Sequence, residues 1–363
     1  MASRGLLPLL FAAGADALAP RFLPPGQLLI GYATSRSLRE GSADVAAADG
    51  VNVIIWSFAF LEQDEAGPRI RATFDLSEVL KAKARMAAAG QNVAHLVAFG
   101  GWNGAHPSTS LKGEGWFDLW AAWNAENGDV FDGIDWDLEG HDDAGAETSN
   151  LDPVVVEVVG EFSRSAKAAG FVVGMAPAQS YLDASSDEFD LALNHQPGAG
   201  WKPGTNGFPE TFPYAGRNAY VALIRAAGGV ETFDFISVQL YEGYSRACFD
   251  ITVGGAAAAE VVANVCRKLS TEGVRISGEP ASAAIVVPPN QLVVGFANGW
   301  ADGRKFLSVA PRDIADAFAQ LKGEGSEPRG VMFWVIDEEG SPASAPVHFA
   351  RDVSSAMRPA PDL

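Results

Sequence analysis

Residues 131–139 read Phe131-Asp132-Gly133-Ile134-Asp135-Trp136-Asp137-Leu138-Glu139. Side chains on an extended strand alternate in direction, so Asp135, Asp137 and Glu139 share one face while Ile134, Trp136 and Leu138 share the other. A strand that is apolar on one side and triply acidic on the other fits the wall of a closed barrel. The apolar face packs on surrounding helices and the acids point inward. Three carboxyls at that spacing cannot all ionise freely, because like charges raise at least one pKa. The outermost, Glu139, falls where the strand meets the rim, so the pattern predicts an acid that keeps its proton and can donate it to a bound ligand. An all-carboxylate Mg2+ or Ca2+ site is the alternative, and the interleaved Ile, Trp and Leu argue against a flexible ligand loop.

The same kind of apolar run recurs along the chain, at Gln27–Thr34, Val51–Leu61, Asn92–Gly100, Phe171–Ala176, Phe233–Leu240, Leu292–Ala297 and Gly330–Ile336. Continuous apolarity rather than strict alternation marks strands covered on both faces, as in parallel sheets. Helix-forming stretches separate them. Asp75–Ala89 ends before Gly90, and Asp152–Ala169 opens on an Asp-Pro cap and ends before Gly170. Gly115–Asn127, Gly216–Ala227, Ala256–Leu269 and Pro311–Leu321 behave similarly. Eight strand signals alternating with helix signals predict an α/β fold, a single-domain (β/α)8 TIM barrel over residues 26–358, with an open doubly wound sheet as the alternative. The longest connection, Ser180 to Ala215, would rise over the substrate-binding end, with Trp201, Phe208, Phe212 and Tyr214 available to stack on a ligand or to pack the loop.

Composition narrows the ligand. With 26 basic and 45 acidic side chains the formal net charge is −19, which disfavours nucleic acid and anionic membranes. Arg4, the apolar Gly5–Ala13 and Ala17-Leu18-Ala19 give residues 1–19 the form of a signal peptide, too short to span a bilayer. A secreted monomer is the expectation. Cys248 and Cys266 could then pair, or remain buried thiols.

The stretch Asp132-Gly133-Ile134-Asp135-Trp136-Asp137-Leu138-Glu139 resembles the Asp-Gly-x-Asp-x-Asp-x-Glu signature of glycoside hydrolase family 18, which includes many chitinases. Ala98-Phe99-Gly100-Gly101-Trp102, Gly31-Tyr32, Met175-Ala176-Pro177, Gln239-Leu240-Tyr241 and Gly330-Val331-Met332-Phe333-Trp334 are similar to other strands of that family. The absence of an inserted domain after strand seven is like its shorter, hevamine-like or bacterial branch. The resemblance implies hydrolysis of β-1,4-linked N-acetylglucosamine polymers or oligomers by substrate-assisted, retaining catalysis, without cofactor or metal. It implies Glu139 as general acid/base, Asp137 as the group orienting the acetamide, Asp135 behind it, and Tyr241 as a hydrogen-bond donor. Trp334, Gln239, Met175, Tyr32, Phe58 and Asp132 would contact or surround the sugar. Taken without the motif, Trp334 and Phe58 read more readily as plain core residues. The chain departs from the family at Ala98, Ala178, Glu242 and Val335-Ile336-Asp337-Glu338. Two other functions fit the same residues: an endo-β-N-acetylglucosaminidase on N-glycans, and a non-catalytic, lectin-like protein binding chitin oligosaccharides.

Overall fold

The apolar runs do form strands, and their register closes them on one another. In a computed structural model, which describes residues 23–141, 143, 145–193, 217–303 and 306–357, the chain order is β1 (Leu28–Ala33), α1 (Ser35–Glu40), α2 (Ser42–Ala48), β2 (Val53–Asp64), β3 (Gly67–Ala72), α3 (Leu76–Ala88), β4 (Ala94–Gly100), α4 (Gly113–Glu126), β5 (Gly133–Asp137), α5 (Pro153–Ala168), β6 (Val172–Met175), α6 (Tyr220–Ala226), β7 (Phe235–Gln239), α7 (Arg246–Thr252), α8 (Ala258–Arg267), β8 (Leu292–Ala297), α9 (Pro311–Gly323), β9 (Gly330–Trp334) and α10 (Phe349–Met357). Neighbouring strands follow the order β1-β9-β8-β7-β6-β5-β4-β2, and β1 pairs in parallel with β2, which closes the barrel. Among the described strands only β3 runs antiparallel: it folds back on the outer end of β2, pairing Ala59 with Ala72 and Asp64 with Gly67. The run expected as Val51–Leu61 therefore extends into a hairpin that rises above the rim.

Alternation sorts the core into two layers. Leu28, Ile30, Tyr32, Val53, Ile55, Leu96, Val172, Phe235, Val293 and Met332 pack inside the barrel. The residues between them, such as Ile54, Val97, Ile134, Trp136, Val173, Ile236 and Phe333, join the helices outside it. Trp116 and Trp120 of α4 are fully buried there, Trp120 edge-on to Phe171 at 4.7 Å between ring centroids. Helix starts match the sequence signals: Asp75 and Asp152 accept hydrogen bonds from Ser77 N and Val154 N at the first turns of α3 and α5.

Two expectations from the sequence lie outside the described residues: the leader at 1–19, and Trp201, Phe208, Phe212 and Tyr214 on the long connection. Cys248 on α7 and Cys266 on α8 are both buried thiols, and burial pushes each up to about 12.

Candidate active site

β5 delivers its acids as parity requires. Asp135, Asp137 and Glu139 are 0%, 3% and 7% exposed and climb the barrel interior toward the rim. Room for Asp135 comes from Gly174 on β6, where an added Cβ would lie 2.4 Å from Asp135 Oδ1. Tyr32 on β1 donates its hydroxyl hydrogen to Asp135 Oδ2. Gln239 on β7 donates from Nε2 to Asp137 Oδ1 at 2.8 Å and to the Ala176 carbonyl at 2.7 Å. The Gly100-Gly101 pair also has a visible purpose. Gly100 adopts φ 110°, and Gly101 N–H then reaches the Asp137 carbonyl at 2.6 Å, fixing the strand end below the acid.

Glu139 is held from several sides. Tyr220 Oη accepts from Leu138 N at 2.7 Å and donates to Leu138 O at 3.0 Å, and His106 Nε2 lies 3.0 Å from the Glu139 carbonyl. Tyr244, on the loop after β7, donates to Glu139 Oε2 at 3.3 Å. Burial pushes the Glu139 carboxyl up to about 7, a rise that its hydrogen bonds with Tyr244 and Asp137 oppose. Burial also carries Asp135 to about 7, against the opposing bond from Tyr32. Asp137 is likewise raised well above the carboxylate range, by burial first and then by the charges of Glu139, Asp135 and Glu242. These acids therefore share protons near neutral pH, the state expected of three inward carboxyls.

Above them lies a cavity of about 290 Å3 lined by Phe58, Trp102, Asp137, Glu139, Tyr241, Glu242, Gly243, Tyr244, Trp300, Phe306 and Trp334. Phe58 stacks on Trp334 at 5.9 Å and 18°, and Trp102 on Tyr244 at 6.1 Å and 28°. Aromatic faces around a few convergent polar groups are the usual make-up of a small-ligand site, and flat rings suit the C–H faces of a pyranose. A larger groove of about 1010 Å3 lies between the β2–β3 hairpin and the loops after β4 and β5. Its described lining has no Phe, Tyr or Trp and none of the β5 acids, so the chemistry belongs to the smaller cavity.

Of the residues singled out from sequence, Glu139, Asp137, Tyr241, Trp334 and Phe58 line this cavity, while Asp135, Gln239 and Tyr32 support it from below. Two do not belong to it. Asp132 has the outward parity of Ile134 and Trp136, and its carboxylate holds Lys83 Nζ at 3.1 Å and His95 N at 2.8 Å at the start of the strand. Met175 is fully buried among the helix-facing residues, because on β6 it is Gly174 and Ala176 that point inward. Missed altogether were Tyr244, Trp300 and Phe306, which reach the cavity from loops after β7 and β8. The doublet of Tyr241 and Tyr244 was the available signal for the first. Asp49, Glu339 and His348 bring ligand-type atoms within 4.8 Å of one another. However, the Glu339 carboxylate is engaged by Asn298, Phe349 N and Ala350 N, His348 Nδ1 is engaged by Asp49, and none lines the cavity.

No family model matches the chain, and no curated protein is detectably similar to it in sequence. Solved structures are similar in shape. A family GH18 chitinase from Chromobacterium violaceum is 20% identical, over 92% of this chain and 82% of that one, with a TM-score of 0.55. The catalytic domain of a hyperthermophilic chitinase from Pyrococcus furiosus is 13% identical over 93% and 98%, with a TM-score of 0.52. A xylanase and α-amylase inhibitor protein from Scadoxus multiflorus is 15% identical over 91% and 98%, at 0.50. The chain thus has the (β/α)8 barrel fold that these chitinases and this inhibitor share.

Proposed function

We propose that the chain is a chitinase-like glycoside hydrolase of family 18, cleaving β-1,4 bonds between N-acetylglucosamine units. The observation that carries this reading is the Glu139 carboxyl. It is buried at the rim of an aromatic cavity and raised to about 7, so a large fraction keeps its proton at neutral pH.

Glu139 gives its proton to the oxygen of the scissile bond as the bond to the anomeric carbon breaks. The carbonyl oxygen of the sugar's own 2-acetamido group attacks that carbon, forming a cyclic oxazolinium ion. This substrate-assisted route replaces the carboxylate nucleophile of the common retaining scheme. Asp137 accepts a hydrogen bond from the acetamide N–H, which aligns the nucleophile and offsets its developing positive charge. Gln239 keeps Asp137 in place, and Tyr241 donates to the acetamide oxygen. Water then attacks the anomeric carbon from the face the leaving group vacated. Glu139 takes its proton, so configuration is retained and the acid is regenerated. Trp334 and Phe58 form the apolar floor. The same reading makes the protein an exported one, on the leader-like character of residues 1–19.

A non-catalytic reading also has support, since the inhibitor from Scadoxus multiflorus shares the fold. Incubation with chitotetraose and with a high-mannose glycopeptide separates the possibilities. Release of shorter chitin oligomers with retained configuration is expected. Cleavage of the glycopeptide alone would make the protein an endo-β-N-acetylglucosaminidase, and binding of the tetramer without turnover would make it a lectin.

A further inference from the structure

β5 ends at Asp137, whose last partner across the sheet is Gly100 of β4. Leu138, Glu139 and Gly140 continue upward outside any strand pairing among the described residues. The acid of the proposed reaction therefore stands on an unpaired piece of chain. The carbonyls from Asp137 to Gly140 are nevertheless all taken. Asp137 O accepts from Gly101 N at 2.6 Å, and Gly140 O from Asn103 N at 3.0 Å. Leu138 O accepts from Tyr220 Oη at 3.0 Å. Glu139 O lies 3.0 Å from His106 Nε2. A carbonyl can only accept, so Nε2 carries the ring hydrogen.

Gly101, Asn103 and His106 belong to one turn after β4. Gly104 N–H closes that turn on Gly101 O at 2.8 Å, and a Cβ on Gly104 would collide with Gly100 O. The turn is tight enough to need glycine there, and it delivers Asn103 and His106 beside the acid-bearing segment. Two of the donors are backbone amides, and Tyr220 serves Leu138 at both its N–H and its carbonyl. His106 is the side chain that acts on the acid's own backbone. It does not line the catalytic cavity; its half-buried ring forms part of the wall of the larger groove. Burial lowers its pKa, against its bonds with the Glu139 and Asn150 backbones, so the ring is neutral at pH 7. The Glu139 carboxyl itself meets Tyr244 at the long distance of 3.3 Å. Its placement thus depends on how the backbone beneath it is turned, and a misplacement of about 1 Å can cost about 100-fold in rate.

We infer that His106 is a positioning residue: its Nε2–H holds the Glu139 carbonyl and thereby keeps the Glu139 carboxyl aimed into the cavity. This rests on the hydrolase reading above.

The test is kcat, KM and the pH profile on chitotetraose for wild type and two variants, with folding checked by circular dichroism and melting. His106→Phe keeps a flat ring and loses both nitrogens. His106→Gln keeps an N–H donor at a similar reach. The Phe variant is expected to lose about 10- to 100-fold in kcat with KM little changed. Its alkaline limb of kcat/KM should move to lower pH, because a carboxyl that turns toward water loses the burial that raises it. The Gln variant should recover both. A side chain that merely packs would lower the melting temperature and leave kcat and the limb where they are. An unchanged kcat in the Phe variant overturns the inference, as does a loss confined to KM, or an equal loss in the Phe and Gln variants. If the Phe variant does not fold, His106→Asn, whose amide is one carbon shorter than that of Gln, takes its place and is read in the same way. No cleavage by wild type removes the hydrolase reading and this inference with it. Wild-type cleavage with any of the contrary results removes the inference alone.

Discussion

Replacing Tyr244 by Phe removes one hydroxyl and keeps the ring that stacks on Trp102. Among the bonds lost is the one donated to Glu139 Oε2 at 3.3 Å. A donor to a carboxylate stabilises its ionised form, so Tyr244 holds the Glu139 pKa below where burial alone would set it. Bonds to charged groups typically contribute about 1.5–3 kcal/mol. At 3.3 Å this one is long, and about 1 kcal/mol is a fair value. At roughly 1.4 kcal/mol per pKa unit, the variant's acid rises by about 0.7. The assay is the pH profile of kcat/KM on a chitin oligomer, whose alkaline limb reports the acid in the free enzyme. With the acid near 7 about 9% of wild type is protonated at pH 8, against about a third of the variant. The limb should therefore move to higher pH, whatever happens to the plateau. A limb that stays put, or moves to lower pH, refutes the assignment of Tyr244 and Glu139 as a donor–acid pair.

Three further outcomes follow from neighbouring residues. Asp137→Asn should lower kcat by about 100-fold or more with oligomer binding kept, as for loss of a group that stabilises transition-state charge; full activity would remove Asp137 from the mechanism. His95 is buried, accepts from Trp56 Nε1 at Nδ1, and is lowered from 6.5 to about 3 by burial and then by Lys83. Its neutral form is favoured on folding, so this contribution is full above pH 6.5 and is lost as pH falls toward 3. Urea unfolding should show wild type losing up to roughly 5 kcal/mol relative to His95→Gln across that window, and parallel curves would contradict it. Asp135 has the opposite sign. Its carboxyl moves from 3.8 to about 7, so its contribution is present below pH 3.8 and lost as pH rises through 7. Asp135→Asn should gain up to roughly 4 kcal/mol on wild type between pH 4 and 8.

Strand parity made much of this site readable in advance. Alternation alone sends Asp135, Asp137 and Glu139 to one face and Trp136 to the other, and the folded chain keeps that division. The same rule exposes the two misplacements. Asp132 and Met175 entered as members of a motif taken whole, although each has the outward parity of its strand. Glu242, Tyr244, Trp300 and Phe306 lie on loops with no periodicity, and only closure of the barrel brings β7, β8 and β9 beside β5. The hairpin strand β3 is short, polar and exposed, so no apolar run announces it; the turn at Glu65-Ala66 and the pairing of Arg71 with Glu62 at 2.7 Å carry it instead.

The most direct test of the account is the turnover of chitotetraose by wild type and by Glu139→Gln, with binding of the tetramer measured on both by calorimetry. The account predicts cleavage by wild type, loss of several orders of magnitude in kcat for the variant, and similar affinity, because proton donation is removed while the cavity is kept. Equal turnover by the two proteins would contradict it.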